Sequence, residues 1–122
     1  NIIVSPSGAS NSCGQQGGPF SPSSVTYYVV NDSPNTINWT ATAIPNIYAS
    51  LSKTSGTLGP GSSTSVIVTF KNFVNFLPPG LWPFIIQFDN TTNGIGPDII
   101  RILTLRIVAT GENCGGVVNT EE

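Results

Sequence analysis

From Ile37 to Ala43 the chain reads INWTATA, with an apolar residue at every second position. Strand side chains point alternately to two faces, so this segment is read as a half-buried strand with Trp39 directed inward. The same two-residue period returns along the chain. Val25, Tyr27 and Val29 share a face in SVTYYVVN, as do Val66, Val68 and Phe70 in TSVIVTF. Trp82, Phe84, Ile86 and Phe88 align in LWPFIIQF, and Leu103, Leu105 and Ile107 align in IIRILTLRIV. Two shorter segments, Ile2 to Ser5 and IYASLS, bring the strands to about seven, and no stretch has the period of a helix.

Turn residues punctuate these segments. Most of the 13 glycines and 10 prolines gather in NDSPNT, SGTLGPGSS, LPPG, DNTTNGIGPD and the stretch SPSGASNSCGQQGGPFSPS, which is expected to be a long loop. Short strands with turns between them predict an all-β chain, a single immunoglobulin-like antiparallel β-sandwich with Greek-key connections. The 122 residues suffice for one core. They divide into an N-terminal strand and loop (1–16), the sandwich body (17–109) and a flexible C-terminal tail (110–122). A chain beginning at Asn1 is expected to be either a mature product or a trimmed one.

Charge narrows the classes of partner. Charged residues are 8% of the chain and the net charge is −2, with Lys53, Lys71, Arg101 and Arg106 scattered. No basic stripe tracks a phosphate backbone, so nucleic acid is not expected as a partner. No apolar run reaches the length that crosses a bilayer as a helix. Cys13 and Cys114 are the only cysteines, and histidine and methionine are absent, so the groupings that zinc uses are missing. The two cysteines are expected to form a disulfide. They would meet at one pole if the first strand ran beside the last in the same direction. That bond favours an oxidising compartment, and the reading is extracellular or at a cell or virion surface; two free thiols are the alternative.

Beyond these patterns, GGPFSPSSVTYYVVN, INWTATA, SGTLGPGSSTSVIVTF and LPPGLWPFIIQFDNTTNG followed by RILTLRI resemble the bacterial BACON-type immunoglobulin-like domains over residues 17–108. The resemblance implies an immunoglobulin-like module that binds carbohydrate or acts as a spacer, and it supplies no catalytic motif. The chain departs from the family on the outer side of its strands, where the family usually carries small polar residues.

Out of phase with the core stand Tyr28 and Val30, then Ile67, then Leu81, Pro83 and Ile85, and finally Ile102 and Val108. INWTATA alone keeps a polar outer side. Burying a side chain of this size is worth about 1.5–3 kcal/mol, so a domain gains by covering such a set. Scattered surface apolar residues, or a strand phase slipped by one, would be the plain alternative. Sheet edges offer a second contact. Charge is scarce at them, and the terminal strand with Ile2, Ile3 and Val4 is a candidate donor that completes the sheet of a neighbouring copy.

Other sites are weaker. Asp89 and Asp98 flank one loop and can approach each other, but Asp beside Asn and Gly serves local turns more often than catalysis; the chain is not expected to be an enzyme. Asp89, Asn90, Asn93 and Asp98 lack calcium-loop spacing, so no metal or cofactor is expected. Asn38 and Asn90 begin Asn-x-Thr acceptor triplets for N-glycosylation, which also arise by chance in an Asn- and Thr-rich chain. Asn31-Asp32-Ser33 matches as well, but Pro34 follows it. Tyr48, Phe73, Phe76 and Trp82 are candidate carbohydrate contacts, with Phe76 and Trp82 alternatively closing the bottom of the core. The expectation is a non-enzymatic extracellular subunit that self-assembles into a homopolymer through strand edges and apolar outer faces. A carbohydrate-binding or adhesion module and a viral surface protein are the alternatives.

Overall fold

A computed structural model of the chain describes residues 2–92 and 98–114. Among the described residues ten strands are formed: β1 (Ile2–Ser5), β2 (Ser10–Gln15), β3 (Phe20–Ser21), β4 (Ser24–Asn31), β5 (Ile37–Ile44), β6 (Ala49–Leu51), β7 (Ser55–Leu58), β8 (Ser63–Phe70), β9 (Gly80–Asn90) and β10 (Ile99–Val108). They make a four-stranded sheet, β1-β4-β8-β6, and a six-stranded sheet, β3-β2-β10-β9-β5-β7. The chain crosses between the sheets repeatedly, and two of those crossings, β4 to β5 and β8 to β9, lead from one pair of neighbouring strands to another. The pairs β4–β8 and β5–β9 therefore interlock as a Greek key. The fold is an immunoglobulin-like β-sandwich.

The five longest expected strands stand where the alternation puts them, and the differences lie in the loops. The stretch read as one long loop contains β2 and β3. β2 runs parallel to β10, with Ser12 opposite Leu105 and Gly14 opposite Ile107. Its inward positions are Ser10, Ser12 and Gly14, which carry no hydrophobic period. Gly14 is required by space, because a Cβ there would lie 2.2 Å from the Pro19 carbonyl oxygen. β1 lies in the other sheet, antiparallel to β4, so it is β2 rather than the first strand that runs with the last. β7, expected as turn, covers half of β5 with Gly56 against the Trp39 indole; a Cβ at Gly56 would be 2.9 Å from Trp39 Nε1.

The core between the sheets centres on Trp39, Tyr27, Phe88 and Ile86, with the Tyr27 and Phe88 rings edge to face at 5.7 Å. A second cluster of Phe20, Val74, Leu77, Leu105 and Ile107 closes one end. A 3-10 helix, Asn72–Phe76, supplies Val74 to that end. Its three-residue period sets Val74 and Leu77 on the inner side and Phe73 and Phe76 on the outer. Phe76, one of the two rings expected to close the core, is consequently 80% exposed.

Cys13 and Cys114 are bonded, with Cα atoms 5.9 Å apart. Cys13 lies on β2 beside Arg106 of β10. Gln15 Nε2 donates to the Glu112 carbonyl oxygen at 2.8 Å, so the chain after β10 returns to the outer side of β2. Val108 shares that side with Gln15 and is 7% exposed, which corrects its expected place on an open outer face. Of the expected tail, residues 115–122 lie outside the described residues, as do Asn1 and Asn93.

Candidate interaction surfaces

The outer side of the six-stranded sheet is built by register. Ile44 of β5 and Ile102 of β10 both stand opposite Ile85 of β9, making a row of three isoleucines across three strands. Ile44 and Ile102 are 44% and 47% exposed. Ile100 continues the patch toward one end, with Pro83 and then Leu81, 66% exposed, toward the other. Ile44 and Ile100 were not among the residues singled out from the sequence. Ile44 closes INWTATA one residue beyond its visible alternation, and Ile100 falls in an apolar run where both faces look alike.

A second patch covers the four-stranded sheet. Ile3 of β1 stands opposite Val30 of β4, and Tyr28 and Ile67 lie on the same outer side. Ile3 and Tyr28 are about half exposed, Ile67 is 40% exposed and Val30 is half-buried. The sandwich thus has apolar groups on both outer sides.

The edges are short. β1, β6, β3 and β7 have four, three, two and four residues, whereas the strands they flank run from six to eight. Shortness itself guards an edge against chance pairing. The candidate donor strand is seated in its own molecule, with Ile2 and Val4 buried and Ile3 outward. Arg101 reaches it from the opposite sheet: Nη2 donates to the Val4 carbonyl at 2.6 Å and Nε to the Pro6 carbonyl at 2.9 Å. Sequence reasoning missed this clamp, because an arginine on the inward side of a strand carries no motif.

The candidate carbohydrate contacts separate into two kinds. Phe73 and Phe76 are exposed, and Tyr48 stacks on Phe73 at 6.0 Å while meeting Phe84 edge to face. Trp82 is half-buried against the second core cluster and donates from Nε1 to the Pro78 carbonyl at 2.9 Å. Asn38 points outward as expected, its Oδ1 accepting from the Thr57 hydroxyl at 2.7 Å. Asn90 Oδ1 accepts from the Thr92 backbone N–H at 3.0 Å, a local turn. Asn31 is fully buried.

Asp89 and Asp98 do approach each other. Gln87 Nε2 donates to both, at 3.3 Å and 3.1 Å. Hydrogen bonding to Asp89 and the adjoining negative charge hold the Asp98 carboxyl above its usual pKa. Among the described residues no three His, Cys, Asp or Glu side chains group as a metal would need. An open groove of about 630 Å³ lies between β5 and β6, lined by small and neutral side chains with Lys71 as its one charge.

No protein-family model matches the chain, and no curated protein sequence matches it. Solved structures share its fold. WR4, a member of the MSP family from Caenorhabditis elegans, is 13% identical with a TM-score of 0.53, over 88% of this chain and 97% of that one. The CupB2 chaperone of Pseudomonas aeruginosa is 11% identical with a TM-score of 0.65, over 95% of this chain and 60% of its own. A chain of the Salmonella enterica SafA pilin complex with the SafB chaperone is 8% identical with a TM-score of 0.65, over 92% and 57%. At these identities the likeness is one of fold.

Proposed function

We propose that the protein is a non-enzymatic extracellular structural subunit that self-assembles through the apolar outer sides of its two sheets. The observation that carries this reading is the isoleucine row Ile44–Ile85–Ile102, exposed at both ends and half-buried at Ile85, with exposed Leu81 and Ile100 on the same side. An apolar patch of this kind on a chain with so little charge is stabilised by a covering surface. A patch on each side of the sandwich lets copies stack in both directions, which gives a linear assembly rather than a closed pair. The disulfide supports a compartment outside the reducing cytoplasm. Similar folds in a pilin–chaperone complex support a protein as the partner. Exchange of β1 between copies is a further route to assembly, and it requires the two Arg101 bonds to break.

Electron microscopy of native material tests the reading. Fibres or layers of repeating subunits are expected; material that is uniformly single-chain in size overturns it.

The exposed Phe73 and Phe76 favour a second reading, a carbohydrate-binding or adhesion module of the BACON type. Stacking of a sugar ring there predicts glycan affinity that is lost in Phe76→Ala, and binding unchanged by that substitution excludes the site. No particular residue favours a viral surface role over the other two.

A further inference from the structure

Charge and hydrophobicity are ordered along the outer side of the six-stranded sheet. On β9 the outward positions run Leu81, Pro83, Ile85, Gln87, Asp89. On β10 and the residue before it they run Asp98, Ile100, Ile102, Thr104, Arg106. The row through Ile85 and Ile102 lies at the centre. Asp98 and Arg106 are each four residues from Ile102, about 13 Å at the rise of a strand, and Asp89 is four residues from Ile85. On β9 and β10 one end of the face is therefore acidic and the middle apolar, and the other end carries Arg106, beside which the returning chain with Glu112 and Cys114 lies over β2.

Such a face complements its own copy in one orientation. A two-fold axis along the isoleucine row reverses strand direction and lays β10 over β10, so the acidic end of each copy meets the Arg106 end of the other. An axis along the strands would instead set acid on acid. Within one chain Asp98 and Arg106 are about 26 Å apart along the strand, too far to pair. Resting on the self-assembly reading, we propose that this face is an isologous contact between two copies of the chain. The isoleucine rows pack on each other, and Arg106 of each copy lies against Asp98 and Asp89 of the other. A guanidinium at that position relieves the repulsion between the two carboxylates that Gln87 holds together.

The test is sedimentation velocity of the full chain with Arg106→Glu, Asp98→Arg, the two combined, and Tyr28→Glu on the opposite sheet. Each single reversal is expected to weaken this contact about tenfold or more, since it sets like charges together at both ends. The double reversal re-forms the pair between positions 98 and 106 of the two copies, with Asp89 left facing an acid, and is expected to recover most of the association lost in the single variants. Rescue cannot arise inside one chain at this separation. Unchanged association in the single variants, or no recovery in the double, overturns the proposed register. If association survives all three charge variants but is lost in Tyr28→Glu, the contact falls while the assembly reading stands; a wild-type chain that never associates removes both. Matching thermal melts among the variants establish that they are folded.

Discussion

Asn31 shows how one side chain can organise a fold without announcing itself in the sequence. It is fully buried at the end of β4. Its Nδ2 donates toward the carbonyls of Asn35, Leu58 and Gly59 at 2.7, 2.9 and 3.1 Å, while Oδ1 accepts from the Ser33 N–H and hydroxyl. It thereby ties the β4–β5 turn to the turn after β7. Asn31→Ala leaves several buried backbone groups unpaired and is expected to cost about 2–4 kcal/mol, read as a lower urea midpoint with an unchanged slope. An unchanged midpoint would show that water replaces the amide. At the surface, Asp98 has its pKa raised by Asp89, so the folded chain holds a proton that the unfolded chain releases more readily. The stability from that proton is present at low pH and lost as pH rises through the folded value. Asp98→Asn is expected to raise the melting temperature near neutral pH and to leave it almost unchanged in acid. Equal effects at both pH values would contradict the carboxylate pair as its cause.

At the scale of elements, the edges of this sandwich are guarded by brevity and, at β1, by a clamp. Arg101→Ala removes the two bonds that bridge from β10 to the first strand. Faster hydrogen exchange of the backbone amides of Ile2–Ser5 is expected, with the β4–β8 ladder still protected; unchanged exchange would mean that Ile2 and Val4 hold the strand by burial alone. How far each element was legible follows from what its inward positions carry. β4, β5, β8, β9 and β10 present Val, Tyr, Trp, Phe, Ile and Leu inward, and their alternation is plain in the sequence. β2 presents Ser10, Ser12 and Gly14 inward, and β7 presents Gly56 with a single buried apolar residue, Leu58, so neither has an apolar alternation to read and sequence alone makes them turns. Glycine is required at 14 and 56 by close packing against Pro19, Phe20 and Trp39, which only the folded chain brings near. The outward positions Tyr28, Ile67, Leu81 and Ile102 were legible because phase assigns them once the core face is known. Val108 was not, because the return of the chain to Cys13 covers it. The order of charges along β10 was hidden for a different reason. Asp98 and Arg106 have meaning only when register places them at two ends of one apolar face.

For the whole molecule, two sheets each carry an inner side that makes the core and an outer side that is apolar in part. The long strands lie inside the sheets and the short ones at the rims, so edge pairing is restrained while the faces stay open. The disulfide closes 101 residues and ties β2 to the segment after β10. In the chain-entropy view a closure of that length is worth about 4–5 kcal/mol, which steadies the six-stranded sheet that presents the isoleucine row. Sedimentation equilibrium of the wild-type chain over a wide range of concentration asks most directly whether copies cover those faces. A weight-average mass that climbs with concentration, and reaches no more than that of a pair in Ile85→Ser with Ile102→Ser, where only the four-stranded sheet's outer side is left to associate, is the predicted result. The mass of a single chain throughout the range, up to millimolar protein, would contradict it.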